Sequence, residues 1–333
     1  MELRVAAIDI GTVSSRLALA TVRDGEVIDL RKRTVITDLG EGVDATGRLS
    51  DGAIRRVLEA CSAFAAEITA FAPLGTCTTL TSAARDAENG AELLAGLEGL
   101  GLRPLIIPGE VEARLTFFGV ARDFPGERIA VADSGGGSTE IACGSLVAAR
   151  GGSTAGALRL DAVESLDIGC RRVTDRFLAP APATPVQIEA AAVFASELFA
   201  GYWDHLAEAG RSLPTRLVAV GGTVTTLVAM RECMAAYDSA RVHLATLSDA
   251  DVERMIGLLA GHTVEEIAAM PGIQPKRAPV ILAGAVVIRE LLRSGGYPEL
   301  TVSESSLLAG MAVTIFEAVV HGETSIGWVP ELS

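Results

Sequence analysis

Short apolar runs alternate with amphipathic segments from the start of the chain. The runs RVAAIDIG and SRLALATV are typical of two strands, and the Asp-Gly pair at 24–25 is a hairpin signal that leads into a third strand, EVIDLRKRTVI. Ser50 then caps an amphipathic helix that extends to about Phe71, and LGTCTTLTSA returns as a strand. Two further helices flank a strand at RPLIIP. This order predicts a mixed sheet covered by helices.

The second half of the chain repeats the pattern. RIAVADSGGG, like RVAAIDIGT near the start, is an apolar strand followed by an aspartate, glycine and a hydroxyl residue, and the strand TEIACG comes next. The two aspartates, Asp9 and Asp133, are 133 − 9 = 124 residues apart, which is about one domain. We therefore predict an internal duplication with a cleft between two related halves. The Pro-rich stretch 179–185 is predicted as a loop before a long helix, 186–208.

Composition and charge limit the classes of protein to which the chain can belong. It has 333 residues, 49% of them apolar and 21% charged, which is typical of a globular protein with two domains. A net charge of -14 and an aromatic content of 4% argue against nucleic acid as a partner. The start, MELRVAAIDI, does not resemble a signal peptide, and no stretch is predicted to span a membrane. Five cysteines without CxxC spacing fit a reducing compartment, so we expect a cytoplasmic protein.

Three consecutive glycines, 135–137, raise the question of what approaches the backbone there. A glycine-rich turn can direct several backbone N–H groups into one concavity, which binds an anion without a charged side chain. The pair Gly11-Thr12 forms one such turn, and 135–138 forms a second. The aspartates beside them would repel phosphate directly, which favours a divalent cation between carboxylate and phosphate. Taken alone, the three glycines fit a structural hairpin equally well.

Six motifs, in this order, make the chain similar to the Ppx/GppA phosphatases, the exopolyphosphatases and guanosine pentaphosphate phosphohydrolases. They are AAIDIGTVSSRLALA, TSAARDAENG, IPGEVEARLTFFGVA, ADSGGGSTEIACG, AVGGTVTTLVAM and VSESSLLAGMA. The resemblance implies an α/β fold of two duplicated actin-like (ribonuclease H-like) domains, with mixed sheets flanked by helices and an active-site cleft between the domains. We expect domain I over 1–125, with a C-terminal helix at about 305–320 packing back on it, and domain II over 126–304.

The same resemblance implies roles for particular residues. Glu112, in EVEARL, matches the glutamate that orients or deprotonates the attacking water, and Glu140 matches a second acidic residue at the same phosphate. Mg²⁺, or Mn²⁺, is expected with Asp133, Glu140 and Asp9 as ligands or as acceptors of its waters. By position alone, in the first turn of a predicted helix, Glu112 would also suit the helix dipole. The substrate phosphates are expected at Gly11, Thr12, Ser14, Arg85, Asn89, Gly136, Gly137, Ser138, Gly222 and Thr223.

Arg85 and Asn89, four residues apart after TSAA, are predicted to share one helical face and to reach a phosphate from the side. Three positions depart from the family's pattern. Val13 stands where asparagine is usual, Val111 stands in place of the first of two adjacent acids, and Ser134 replaces a common apolar residue inside the triple-glycine motif. The basic run GCRRVTDRF, 169–177, is predicted to be a solvated face rather than part of a substrate path.

The leading hypothesis is hydrolysis of the terminal phosphoanhydride of inorganic polyphosphate, with release of orthophosphate. Removal of the 5′ γ-phosphate of guanosine pentaphosphate is the close alternative, and guanosine tetraphosphate is a further expected ligand. A sugar or acid kinase and a non-catalytic sensor of polyphosphate or alarmone are the other hypotheses. The remaining expected partner is a second copy of the chain in a homodimer, with neither nucleic acid nor membrane.

Overall fold

The computed structural model describes residues 1–147 and 157–333, which form two compact units. Unit 1 comprises Met1–Glu127, Ser305–Ser333 and the described part of Ser145–Leu160. Unit 2 comprises Arg128–Gly144 and Asp161–Glu304. The division therefore falls at residues 127 and 128, and the C-terminal helix belongs to unit 1. Within the described ranges, every helix is too short or too polar to cross a lipid bilayer.

The two sheets share one strand order. The strands of the first are β1 (Glu2–Ile10), β2 (Ser14–Arg23), β3 (Glu26–Ile36), β4 (Gly75–Leu80) and β5 (Pro104–Ile106). Those of the second are β6 (Arg128–Ser134), β7 (Thr139–Val147), β8 (Ala157–Leu166), β9 (Arg216–Val220), β10 (Thr246–Ser248) and β11 (Glu299–Val302). The first sheet has the order β3-β2-β1-β4-β5, and the second has the order β8-β7-β6-β9-β11 with β10 at its end. Because β1 pairs parallel with β4 as β6 does with β9, the predicted duplication is confirmed.

Helices flank both sheets. Their bounds are α1 (Val43–Thr46), α2 (Asp51–Phe71), α3 (Ser82–Asp86), α4 (Gly90–Glu98), α5 (Gly109–Val120), α6 (Cys170–Val173), α7 (Pro185–Glu208), α8 (Gly222–Arg231), α9 (Ser239–Val242), α10 (Asp249–Ala260), α11 (Val264–Ala268), α12 (Ala278–Ser294) and α13 (Leu307–His321). Ser50 caps α2 by accepting a hydrogen bond from the N–H of Ala53, as its position before the amphipathic run predicts. Thr184 and Gln187 form a capping box at the start of α7.

Helix α5, which carries Glu112, packs directly on α13. A Cβ atom at Gly119 would lie 2.8 Å from the backbone nitrogen of Gly310, and one at Gly310 would collide with the carbonyl oxygen of Leu115. The two helices therefore meet backbone to backbone, which leaves no space for a side chain at either glycine. This contact explains the glycines of the segments FFGVA and LLAGMA.

All five cysteines are free. Burial raises the pKa of the Cys61 and Cys77 thiols to about 12 and that of Cys143 to about 11. These three side chains therefore stay protonated at neutral pH and behave as small apolar groups of the core.

We expect Gly310→Ala to lower the free energy of unfolding by about 1–3 kcal/mol, because the backbones of α5 and α13 must move apart to admit the methyl group. Gly201→Ala, in the interior of α7, is the matched control, since its Cβ atom would meet nothing within 4 Å. That substitution should raise stability by roughly 0.5–1 kcal/mol through helix propensity. Urea unfolding measures both changes. A Gly310→Ala protein as stable as the wild type would show that the helices do not depend on this contact.

Candidate active site

The two predicted glycine turns have the same hydrogen-bonding pattern. The N–H of Gly11 donates to the carbonyl of Ser14 at 2.9 Å, and 124 residues later the N–H of Gly135 donates to the carbonyl of Ser138 at 3.0 Å. The first turn connects β1 to β2, and the second connects β6 to β7. Equivalent positions of the two units are therefore 124 residues apart throughout both hairpins.

The carbonyl groups of the second turn are held from one side. Those of Gly135 and Gly136 accept hydrogen bonds from backbone N–H groups at the start of α6, at 2.8 to 3.1 Å, and that of Gly137 accepts from Arg172 Nε at 2.7 Å. In a planar trans peptide group, the C=O and the N–H point in opposite directions. The N–H groups of Gly136, Gly137 and Ser138 therefore point away from α6. Successive N–H groups with a common direction are an anion-binding arrangement.

The first turn is held in the same way. The carbonyl of Thr12 accepts a hydrogen bond from the N–H of Gly40 at 2.8 Å, and that of Val13 accepts from two N–H groups after β3, at 2.9 and 3.1 Å. The N–H groups of Val13 and Ser14 therefore point to the other side. Val13 stands where the resemblance leads us to expect asparagine, and its side chain is buried. The change to valine therefore removes a polar side chain but keeps these backbone donors.

The glycines allow a close approach of two backbones rather than an unusual backbone conformation. No φ angle of 135–137 is left-handed in the described structure. A Cβ atom at Gly169 would lie 2.7 Å from the backbone nitrogen of Gly137, so the segment before α6 lies directly against the turn. In the first turn, a Cβ atom at Gly40 would collide with the side chain of Thr12. The roles of Gly40 and Gly169 could not be predicted from the sequence, because each glycine contacts a turn that is far from it in the chain.

The two turns differ in the charge beside them. Asp9 pairs across the sheet with Arg16, which donates to Asp9 Oδ2 from Nε at 2.8 Å and from Nη2 at 2.6 Å. The residue equivalent to Arg16 in unit 2 is Glu140, so the neighbour of Asp133 on the next strand is a second carboxylate. Both acids of unit 2 are buried, and Ser165 Oγ donates to Glu140 Oε1 at 2.7 Å. Two like charges on paired strands are unfavourable without a counterion.

The carboxylates of unit 2 fit a divalent cation better than Asp9 does. Mg²⁺ prefers oxygen ligands and is usually bound through one or two carboxylates together with substrate phosphates. Asp133 and Glu140 supply two carboxylates, whereas Arg16 already neutralises Asp9, although Asp9 Oδ1 is buried without a hydrogen-bond partner in the described chain. Over residues 1–147 and 157–333, no three His, Cys, Asp or Glu side chains are grouped as a metal site. A cation there would complete its coordination with water or substrate oxygens.

Glu112 and Glu110 lie in the first turn of α5 but have different surroundings. Glu112 is 7% exposed, whereas Glu110 is on the solvent side, as the rotation of a helix by about 100° per residue predicts. Arg85, in α3, donates from Nη1 to Glu112 Oε2 at 3.2 Å and to the carbonyl of Ile107 at 2.9 Å. The hydrogen bond from the guanidinium fixes the orientation of the buried carboxylate, and the positive charge of Arg85 compensates its negative charge. Its surroundings therefore differ from those of a surface acid at a helix end.

The prediction that Arg85 and Asn89 share a helical face is wrong. Helix α3 ends at Asp86, and α4 begins only at Gly90. The Asn89 side chain is buried and accepts a hydrogen bond from the N–H of Leu49 at 2.8 Å, while its amide group donates to the Leu49 carbonyl at 3.1 Å. Both polar ends of Asn89 thus fix the segment before α2, and the geometric argument for a phosphate contact at Asn89 no longer holds.

Gly222 and Thr223 begin α8 beside the second turn. Gly221, just before them, has a φ of +103°, and a Cβ atom there would lie 3.2 Å from Asp133 Oδ1, so the helix begins against that carboxylate. The Thr223 side chain packs towards α12, since a Cβ atom at Gly284 would lie 2.5 Å from Thr223 Oγ1. The backbone N–H groups of Gly222 and Thr223 are therefore the parts that could contact a phosphate.

The predicted site residues are thus divided between the two units. The group of unit 1 comprises Asp9, Gly11, Thr12, Ser14, Arg85 and Glu112. The group of unit 2 comprises Asp133, Gly136, Gly137, Ser138, Glu140, Gly222 and Thr223. A cleft shared by both groups stays a prediction. Arg16, Gly40, Gly169 and Arg172 are the additional residues that hold these groups in place.

Comparisons with known proteins agree with this description. A family model described as the Ppx/GppA phosphatase family matches residues 18–318. Exopolyphosphatase 2 of Mycobacterium tuberculosis is 36% identical over 332 residues, which cover 94% of this chain and 98% of that protein. The crystal structure of an exopolyphosphatase-like protein, 32% identical, has a TM-score of 0.81 and covers 94% of this chain and 97% of its own. That of the Aquifex aeolicus Ppx/GppA family member, 28% identical, has a TM-score of 0.76 and covers 96% and 100%.

Proposed function

Since this chain belongs to the Ppx/GppA phosphatase family and is a phosphoanhydride hydrolase, we propose that it is an exopolyphosphatase, which removes the terminal phosphate of inorganic polyphosphate. The observation that carries the proposal is the repeated turn. Each turn offers backbone N–H groups to an anion, and backbone donors recognise phosphate without requiring a nucleoside or a sugar. A polymer made of phosphates alone matches such donors.

We propose that Glu112 orients and activates the attacking water. In the reaction, the water oxygen forms a bond to the terminal phosphorus and gives up a proton, which the Glu112 carboxylate can accept. The P–O bond to the next phosphate breaks, and the shortened chain leaves with that electron pair. The transition state is loose, so positioning and charge neutralisation matter more than a strong base. A buried carboxylate that Arg85 holds in one orientation can accept a hydrogen bond from the water and direct its oxygen.

We propose Asp133 and Glu140 as the residues that hold Mg²⁺, or Mn²⁺, directly or through its waters. When bound, the cation supplies positive charge to the phosphate oxygens. Asp9 is less suited to this role than the sequence analysis expects, because its Oδ2 already accepts two hydrogen bonds from Arg16. We propose instead that Asp9 holds the side chain of Arg16 next to the first turn.

Guanosine pentaphosphate is the second candidate substrate, since its 5′ end carries the same terminal phosphoanhydride. One observation favours it. A Cβ atom at Gly222 would collide with the guanidinium of Arg277, so this planar cation covers the start of α8. A guanidinium plane is a surface on which a nucleobase can stack. The homodimer and the cytoplasmic location stay predictions.

Phosphate release from polyphosphates of several lengths, guanosine pentaphosphate and ATP, with Mg²⁺ and no acceptor, tests the proposal. We expect orthophosphate from polyphosphate, with stepwise shortening of the chain. Faster release from guanosine pentaphosphate would favour the second candidate. A requirement for a sugar or acid acceptor would indicate a kinase, and binding without turnover would indicate a sensor.

We expect Glu112→Gln to reduce kcat on polyphosphate by roughly 10²- to 10⁴-fold with little change in KM. The amide keeps the size of the side chain and can still accept the hydrogen bond from Arg85, but it cannot take a proton from water. Initial rates over a range of polyphosphate concentrations, on protein with a wild-type circular dichroism spectrum, measure the effect.

Glu110→Gln is the control for this experiment, because it removes the same charge from the same helical turn on an exposed side chain. Its kcat should stay close to the wild-type value. The assignment of Glu112 is wrong if the two substitutions lower kcat equally. It is also wrong if Glu112→Gln leaves kcat nearly intact and costs only roughly 0.3–1 kcal/mol of stability, as expected for an acid at a helix N-terminus.

We expect Asp133→Asn to raise the Mg²⁺ concentration for half-maximal activity by roughly 10- to 100-fold. The gain in Tm of this variant on adding Mg²⁺ should shrink, since stabilisation by a ligand rises with the logarithm of its affinity for the folded state.

Asp9→Asn is the matched control, because Asp9 is the equivalent of Asp133 in the other unit. It should lower Tm by leaving Arg16 without its carboxylate partner, but it should keep the Mg²⁺-induced gain in Tm. If Asp9→Asn abolishes that gain and Asp133→Asn preserves it, the cation belongs to unit 1 instead.

A further inference from the structure

Arg172 holds the second glycine turn through two consecutive carbonyl groups. Its backbone N–H donates to the carbonyl of Gly136 at 3.1 Å, and its Nε donates to that of Gly137 at 2.7 Å. The prediction that the run 169–177 is a solvated face is wrong for its first half, since the side chains of Arg171 and Arg172 are 10% and 11% exposed. Arg176 alone among these arginines is exposed.

The bond to Gly137 places a positive charge behind one particular N–H. The carbonyl of Gly137 and the N–H of Ser138 belong to the same peptide group and point in opposite directions. A hydrogen bond from a charged donor is stronger than a neutral one, and hydrogen bonds at the two ends of a peptide group polarise each other. The guanidinium of Arg172 therefore strengthens the N–H of Ser138 as a donor to an anion on the far side of the turn.

The two units differ in this respect. At the first turn, the carbonyl of Val13 accepts hydrogen bonds from two backbone N–H groups, and the guanidinium of Arg56 acts one peptide group further away, on the carbonyls of Thr37 and Asp38. The second turn lies beside Asp133 and Glu140, whose negative charges oppose phosphate binding when no cation is present. The guanidinium of Arg172 offsets part of this repulsion, although its Nη2 also lies 3.8 Å from the carboxylate of Asp167, which is 80% exposed and therefore screened by water. At the first turn, Arg16 neutralises Asp9.

We propose that Arg172 is a positioning residue that sets the affinity of the second turn for phosphate without touching the phosphate itself. It does so by fixing the direction of the N–H groups of the turn and by polarising the Gly137-Ser138 peptide group. This inference rests on the proposed function for the identity of the ligand, a chain of phosphates.

Arg172→Met, which keeps most of the side-chain length and removes the donor, is the decisive variant. We expect KM for polyphosphate and the inhibition constant of the product orthophosphate each to rise roughly tenfold, the equivalent of losing one charge-assisted hydrogen bond, while kcat changes much less. Arg176→Met removes the same charge four residues away, from an exposed side chain, and should leave both constants unchanged. If Arg172 matters only for folding, Arg172→Met should lower Tm and the amount of active protein without changing either constant.

Arg172→Lys and Arg172→Gln decide the question if the methionine variant does not fold. The lysine variant keeps the charge near the turn and should recover part of the lost affinity, whereas the glutamine variant should not. Wild-type values of KM and of the orthophosphate constant in any folded variant that lacks the guanidinium would overturn the inference, as would a fall in kcat alone.

Calorimetric titration with inorganic tripolyphosphate in Mg²⁺ separates this inference from the proposed function. If the wild-type protein binds tripolyphosphate but releases no orthophosphate, the exopolyphosphatase proposal fails, and weaker binding by Arg172→Met still supports the role of Arg172. If the wild-type protein hydrolyses polyphosphate and Arg172→Met binds tripolyphosphate equally well, only the role of Arg172 is refuted.

Discussion

The planarity of the peptide group is the constraint on which both groups of site residues depend. A trans peptide group directs its C=O and N–H in opposite directions, so whatever holds the carbonyls of a turn decides where its N–H groups point. The segment after β3 holds them in unit 1, and the start of α6 holds them in unit 2. Gly40 and Gly169, which let these segments approach, are therefore as necessary to an anion site as the glycines of the turns.

Duplication kept this hydrogen-bonding pattern and changed the charge beside it. The first hairpin places Arg16 opposite Asp9, and the pair is neutral without any ligand. The second has Glu140 at the position equivalent to Arg16, so Asp133 has a second carboxylate on the neighbouring strand. One position of the repeat, occupied by arginine in one unit and by glutamate in the other, thus gives the two turns different charge, and this difference is the basis on which we propose a metal ion for unit 2.

Structure with local signals could be predicted from the sequence, whereas contacts between distant segments could not. The Asp24-Gly25 hairpin has positive φ at both residues, and Ser50 caps α2, as each local pattern indicates. Helix α12, Ala278–Ser294, is not predicted from the sequence. It is buried almost all around, so most of its length lacks the polar face that marks an amphipathic helix. The turns and Glu112 lie in motifs that can be recognised in the sequence. Arg172 cannot be recognised in this way, because the carbonyl of Gly137 to which it donates lies 35 residues earlier in the chain.

The position of Glu112 relative to the first turn follows from contacts within unit 1. The N–H of Thr81 donates to the carbonyl of Ile10, at the end of β1, so α3 begins beside the turn. Arg85, one helical turn later, holds the carboxylate of Glu112, while α13 holds α5 backbone to backbone. A charge and a packed helix therefore restrain the same side chain from two sides. For the role proposed for Glu112, such restraint matters because a displacement of about 1 Å can cost on the order of 10² in rate.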